Sequence, residues 1–333
     1  MARGGLFLSG LIITWLLSAC AGAPQTRQLL TLPGALPPHI ELQATPFFPQ
    51  QQYQCGPAAL ATVLNVAGEA IQPEQLVDEI YLPARKGSLQ IEILASTRRH
   101  QRIPYRIDSN LRALLTEVAA GNPVLVLQNL ALSWTPQWHY AVVIGYDLAQ
   151  GEIILRSGSE ARHRIALDTF EHTWARASYW GIVVMPLETL PATVEAERYL
   201  RAVVALEDTR QWRAAQQAYD TALQRWPNHL IALMGLGNCA YALHDLPAAS
   251  AAFRRAVEYH PDAAAAHNNL AQVLMEQGKL AEAEAHAQRA VDLGGSQQAS
   301  YGATLADIQA KRQKEKREGE KRGTTSPADS DQR

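Results

Sequence analysis

Cysteine is scarce in this protein of 333 residues, which holds only Cys20, Cys55 and Cys239. Three cysteines cannot build a disulfide framework, and no two lie at the short spacing of a structural zinc site. No metal or other cofactor is therefore expected, and each thiol is read alone. Aromatic residues are few, at 7%. An excess of one charge is also missing: 30 Lys and Arg against 32 Asp and Glu give a formal net charge of −2. That balance supplies no global basic field, so nucleic acid is not an expected partner. One long, mainly apolar run lies near the start of the sequence, at residues 6–17. At about 12 residues it is too short to cross a bilayer as a helix. What the sequence does have is 47% apolar residues, enough for ordinary packed cores, and a length that suggests two domains of roughly 100–200 residues.

Arg3 is the only charge before the apolar run, which ends in Leu17-Ser18-Ala19-Cys20. A charged start, an apolar core and small residues at the cut are the features of an export signal. A cysteine placed directly after them, behind a leucine, resembles the lipobox of bacterial lipoproteins. The resemblance implies a signal peptide at residues 1–19, cleavage before Cys20 and diacylglycerol on its sulfur. Two or three acyl chains hold a protein to a membrane durably, since each buried methylene contributes ~0.8 kcal/mol. Alanine rather than aspartate after Cys20 implies, by the same resemblance, the outer membrane, with the protein facing the periplasm. Residues 20–40 carry Gly22, Pro24, Pro33, Gly34, Pro37 and Pro38 and are expected to be a flexible tether.

Residues 41–188 read as a first folded domain. Helices are expected over 57–67, 73–80 and 89–101, then a strand over 103–107 and a helix capped by Ser109 and stopped at Gly121. Strand-like runs follow at 123–128, 139–146 and 152–156, then a helix over 168–176, with Asp168 as its cap, and a strand over 181–185. Helices first and strands later is an α+β order. Within it, Cys55-Gly56-Pro57 opens the first helix, since proline fits the first turn, where its missing N–H costs nothing. A thiol at a helix N-terminus faces unpaired N–H groups and the helix dipole, which lower its pKa. His139 opens the run Tyr140-Ala141-Val142-Val143-Ile144, where an imidazole can reach that helix end across a cleft. A lone histidine so placed is more often a hydrogen-bonded, half-buried one; the pairing with Cys55 is what suggests chemistry.

The two segments, Gln50-x4-Cys55-Gly-Pro-Ala-Ala-Leu and, some 80 residues later, His139-Tyr-Ala-Val-Val-Ile-Gly-Tyr, resemble the cysteine peptidases that remove double-glycine leaders from bacteriocins. The Gly-x-Pro-Val-Leu-Val-Leu run at 121–127 and Phe170-x3-Trp174 resemble that family too. The resemblance implies a papain-like fold, Cys55 as nucleophile, His139 as general base and a glutamine amide as oxyanion donor. Gln50 is the choice for that donor, with Gln51 and Gln52 as neighbouring alternatives. The sequence departs from the pattern at one place. Where the family has an aspartate followed by proline, it has Ser157-Gly158. A serine hydroxyl can accept the imidazole N–H but brings no charge, so a weaker ion pair and slower turnover are expected. Asp147 ends the His139 strand eight residues on, about 26 Å away at ~3.3 Å per residue, too far to substitute.

In the second half, Pro227 and Pro261 are 34 residues apart, the period of tetratricopeptide (TPR) repeats. With each proline in the same repeat position, large and small residues fall into phase: Tyr199, Leu206, Ala215 and Tyr219; Leu233, Gly237, Ala249 and Phe253; Leu270, Leu274, Ala283 and Ala290. About three repeats are expected over 195–296, an all-α solenoid whose groove binds a protein partner or serves as a spacer. Cys239 reads as core filler. Residues 297–333 mix charges of both signs and are expected to be a disordered tail. The whole reads as a lipid-anchored envelope cysteine peptidase acting on a peptide or protein substrate. The alternative is a peptide-binding assembly lipoprotein with little or no catalysis.

Overall fold

A computed structural model describes residues 22–50 and 54–323. The protein forms two compact units, one running to Pro186 and including Pro191–Val194, the other made of Leu187–Leu190 and everything from Glu195 on.

The first unit is an α+β domain with one main sheet. Helix α1 (Pro24–Thr31) and strand β1 (His39–Glu41) lead to α2 (Cys55–Val66) and α3 (Pro73–Ile80). A small hairpin, β2 (Tyr81–Leu82) and β3 (Gly87–Ser88), encloses a turn of 3₁₀-helix at Pro83–Arg85. Then come α4 (Gln90–Arg99), β4 (Ile103–Arg106), α5 (Leu111–Ala119), β5 (Val124–Asn129), β6 (Trp138–Asp147), β7 (Glu152–Ser157), β8 (Glu160–Ala166), α6 (Leu167–Ala175) and β9 (Gly181–Met185). The strand order is β4-β9-β5-β6-β7-β8, all neighbours antiparallel, and β1 pairs with the far end of β6.

Helix α2 is buried at every residue from Gly56 to Leu64, as an apolar stretch with no polar stripe requires. It packs on the sheet face built from Leu125, Leu127, Tyr140, Val142, Ile144 and Ile182. Gly68 ends it with φ +85°, a left-handed conformation that glycine adopts without strain. Gly145 serves a different need: a Cβ there would lie 3.0 Å from Glu41 Cα, so only glycine lets β1 reach β6.

Four features of this unit differ from the sequence expectations. The segment 20–40 is not simply a tether, because Pro24–Thr31 is helical and its N-terminal amides bind a buried carboxylate. Gln25 N and Thr26 N donate to Glu171 at 3.0 and 2.7 Å. Asn110, not Ser109, caps α5, accepting from Ala113 N at 2.8 Å. Asp168 lies inside the first turn of α6 rather than at its cap. Strand β8 was not expected; its Glu-Ala-Arg-His-Arg-Ile-Ala sequence is mostly exposed, as suits a charged edge strand.

The second unit is a row of helical hairpins: α7 (Ala196–Asp208) with α8 (Trp212–Arg225), α9 (Leu230–Ala242) with α10 (Leu246–Tyr259), and α11 (Ala264–Glu276) with α12 (Leu280–Leu293). Close approach depends on glycine. A Cβ on Gly237 would lie 2.6 Å from Phe253 Cζ, and one on Gly235 would lie 2.6 Å from Tyr219 Oη. A polar ladder ties the first helices of successive hairpins: Asn238 donates to Glu207 at 2.9 Å and Asn269 to Asn238 at 3.2 Å. Cys239 is fully buried in this unit, and burial pushes its pKa up to about 12. The expectation for 297–333 needs correction for its first part, since α13 (Gln298–Gly323) buries Tyr301 and Ile308 against the last hairpin. Residues 324–333, Cys20, Gln51 and Gln52 lie outside the described residues. Among the described residues no helix is long and apolar enough to cross a membrane.

Candidate active site

Cys55 is the first residue of α2. That helix end has no side-chain cap, so its backbone N–H groups are left for another acceptor. The Cys55 sulfur takes that place. The amides of Cys55 and Gly56, together with the N–H of Tyr140 on β6, face it and favour the thiolate. Burial nevertheless outweighs them and raises the thiol above its ordinary pKa. The helix end was expected to lower that pKa; partial burial of the sulfur instead raises it.

His139 is the second residue of β6, opposite Gln128 of β5. Its Nε2 lies 2.8 Å from Ser157 Oγ at the end of β7. In the tautomer that donates Nε2–H to the serine, Nδ1 keeps its lone pair. Burial drives the imidazole pKa down to about 4, and the nearby His163 adds to this. At neutral pH the cleft therefore holds a neutral thiol and a neutral imidazole. No hydrogen bond joins the two groups.

Ser157 is thus the hydrogen-bond partner of the imidazole, and Gln50 holds its neighbour Gly158 in place. The Gln50 side chain accepts Gly158 N–H at 3.0 Å and donates to the Tyr140 carbonyl at 3.2 Å, while its own backbone N–H donates to Gly158 O at 2.9 Å. One clamp therefore binds the residues that follow His139 and Ser157, and its carboxamide keeps a second N–H. Asp147 plays no part here; it lies 3.6 Å from His39 at the other end of β6.

Gln50, Cys55, His139 and Tyr140 all line one open cleft of about 1150 Å³. Its other wall is the β2–β3 hairpin and the residues after it, a contribution the sequence reading missed. Ser88 sits directly on Gly56: a Cβ on that glycine would lie 2.7 Å from Ser88 Cβ. Tyr140 braces the same place, donating its hydroxyl to Ser88 O at 3.3 Å and meeting Trp180 edge-on at 5.9 Å. The signal for this wall was the pair Cys55-Gly56: a glycine after the thiol marks something lying close. Among the described residues no group of three or more metal-ligating side chains is present.

Residues 42–182 match the model of the Peptidase_C39 like family, and residues 199–249 and 240–298 match the tetratricopeptide repeat model. The protein has a C39-like peptidase domain followed by TPR repeats. A C39-like peptidase structure from Bacillus anthracis is 17% identical and covers 44% of this sequence and 97% of its own, at a TM-score of 0.39. The type III secretion translocator chaperone SycD of Yersinia enterocolitica is 16% identical, covering 38% of this sequence and 98% of its own at a TM-score of 0.34. MamA of Desulfovibrio magneticus RS-1 is 21% identical, covering 40% and 78% at a TM-score of 0.34. No curated protein matches the sequence.

Proposed function

We propose that the first unit is a cysteine peptidase in which Cys55 is the nucleophile and His139 the general base. The observation that carries this is the shared cleft: a thiol at an uncapped helix N-terminus and an imidazole fixed by Ser157 face the same open space. The reaction starts from the neutral pair. His139 Nδ1 takes the thiol proton as the sulfur adds to a peptide carbonyl. The oxyanion is held by the Cys55 N–H and the remaining Gln50 amide proton, and one such donor contributes about 3 kcal/mol in comparable sites. The imidazolium then protonates the leaving amine, the acyl group stays on sulfur, and water activated by His139 releases it.

Ser157 favours a second reading. A neutral hydroxyl stabilises the imidazolium less than a carboxylate does, so the domain can hold peptides while cleaving them slowly or not at all. The TPR unit recruits the substrate or a protein partner in either reading. Cys20 anchors the protein by lipid, and the protein works at the outer membrane, facing the periplasm. Incubation with a pool of quenched fluorescent peptides separates the two readings. Hydrolysis lost in both Cys55→Ala and His139→Ala supports the peptidase; binding with no hydrolysis in any form supports the binding protein. Metabolic labelling with a radioactive fatty acid tests the anchor, which requires label lost in Cys20→Ser.

A further inference from the structure

Residues 22–186 carry 12 Lys and Arg against 13 Asp and Glu, so the first unit as a whole is not basic. Its candidate cleft is. Arg85, Lys86, Arg106 and Arg176 line it, and no carboxylate does among the described residues. The four come from separate places. Arg85 and Lys86 are exposed on the turn of the β2–β3 hairpin; Arg106 ends β4 with its guanidinium 5.3 Å from the Trp180 ring centroid; Arg176 closes α6, tied to Asn129 O at 3.1 Å. A concave surface lined by one sign of charge focuses the field and raises the local concentration of the opposite charge.

We infer that the cleft selects peptides that carry carboxylates beside the reacting bond. This deepens the peptidase reading and rests on it. The carboxylate comes from an acidic side group or from the peptide's own C-terminus. Arginine suits either source, because its planar fork pairs with a carboxylate through two parallel hydrogen bonds. With two of the cations on one exposed hairpin turn and two on other elements of the wall, the peptide lies between them, over Cys55.

The test compares alkylation of Cys55 by iodoacetate, an anion, and by iodoacetamide, its neutral counterpart, each followed by mass spectrometry of the Cys55 peptide in the full-length protein. The ratio of the two rates is divided by the same ratio for N-acetylcysteinamide. The expected result is an enrichment of the anion by about tenfold at low salt. It should fall toward one near 1 M salt, where the Debye length is ~3 Å. Arg85→Glu with Lys86→Asn should lower the low-salt ratio; asparagine suits position 86, where φ is +49°. The salt dependence of the unaltered protein tests the inference even if that variant fails to fold. A normalised ratio of one at low salt overturns the carboxylate preference, while iodoacetamide labelling leaves the peptidase reading standing. No labelling by either reagent overturns the peptidase reading itself. Short peptides that differ only as Glu against Gln, or as a C-terminal acid against an amide, then compete with iodoacetamide. Stronger protection by the Glu peptide identifies side-group recognition, and stronger protection by the acid identifies the C-terminus. Equal protection by acid and amide in both pairs overturns the inference.

Discussion

In the proposed peptidase, His139, Ser157 and Gln50 set the conditions under which Cys55 reacts. His139 has its pKa lowered from 6.5 to about 4 by burial, so the folded protein binds fewer protons than the unfolded one across that range. Its contribution to stability is present above pH 6.5 and is lost as the pH falls toward 4, by about 3 kcal/mol at the acid end. Urea unfolding at neutral pH and near pH 4 should show a smaller acid loss in His139→Gln than in the natural protein. If His139 is the base of the proposed peptidase, the same titration should set the acid limb of peptide hydrolysis near pH 4. Ser157→Asp should move that limb to higher pH, because a carboxylate beside Nε2 stabilises the imidazolium. A pH–rate profile unchanged by the substitution would place Ser157 outside the proton path. If Gln50 is the oxyanion donor of the proposed peptidase, Gln50→Ala should lower kcat by about 10²–10³. It also releases the clamp on Gly158, so the His139–Ser157 geometry loosens with it.

At the scale of elements, the TPR hairpins show how small residues set helix spacing. Gly237→Ala should destabilise the second unit by about 1–3 kcal/mol, since the new methyl meets the Phe253 ring. Thermal unfolding followed by circular dichroism reads it directly. Between α11 and α12, His267 Nδ1 and His286 Nδ1 lie 3.0 Å apart, and both imidazoles have lowered pKa values through burial. His267 also reaches the Pro261 carbonyl, while Glu282, Asp262, Arg254 and Arg289 surround the pair. Only one Nδ1 proton fits between the rings, so acid should weaken this hairpin as the pH drops below the ordinary histidine value. Much of the element map was legible. Helix α3 was expected at its observed bounds, and β9 likewise, because proline starts and apolar runs mark them. The misses have two causes, a partner distant in sequence and an exposed edge. Helix α1 depends on Glu171, some 145 residues away, and nothing within 20–40 reports that carboxylate. Strand β8 carries no apolar alternation because it is mostly exposed, so its pairing with β7 leaves no local signature.

At the scale of the whole molecule, the two units use different architectures, an α+β sheet domain and a helical row, and the sequence told them apart by the helix-then-strand order of the first and the 34-residue period of the second. The residues that line the cleft were half legible. Cys55 and His139 stand out because helix and strand start there, whereas the hairpin wall and the four cations come from positions with no shared motif. The end of the second unit was misread because charge dominates residues 311–322, while Tyr301 and Ile308, earlier in the same helix, are what it buries. A protein truncated after residue 296 should therefore melt at a lower temperature in its helical unit, since terminal repeats need a cap. An unchanged midpoint would show that α13 contributes nothing to the last hairpin.

The pairing of Cys55 with His139 is tested most directly by the rate of Cys55 alkylation by iodoacetamide as a function of pH, in the natural protein and in His139→Ala. General-base assistance predicts a rate at neutral pH well above that of a thiol with a raised pKa, falling only as His139 is protonated near pH 4. In His139→Ala the neutral-pH rate should collapse and recover only in alkali, as the thiol ionises by itself. Superimposable profiles for the two proteins would contradict a catalytic pair.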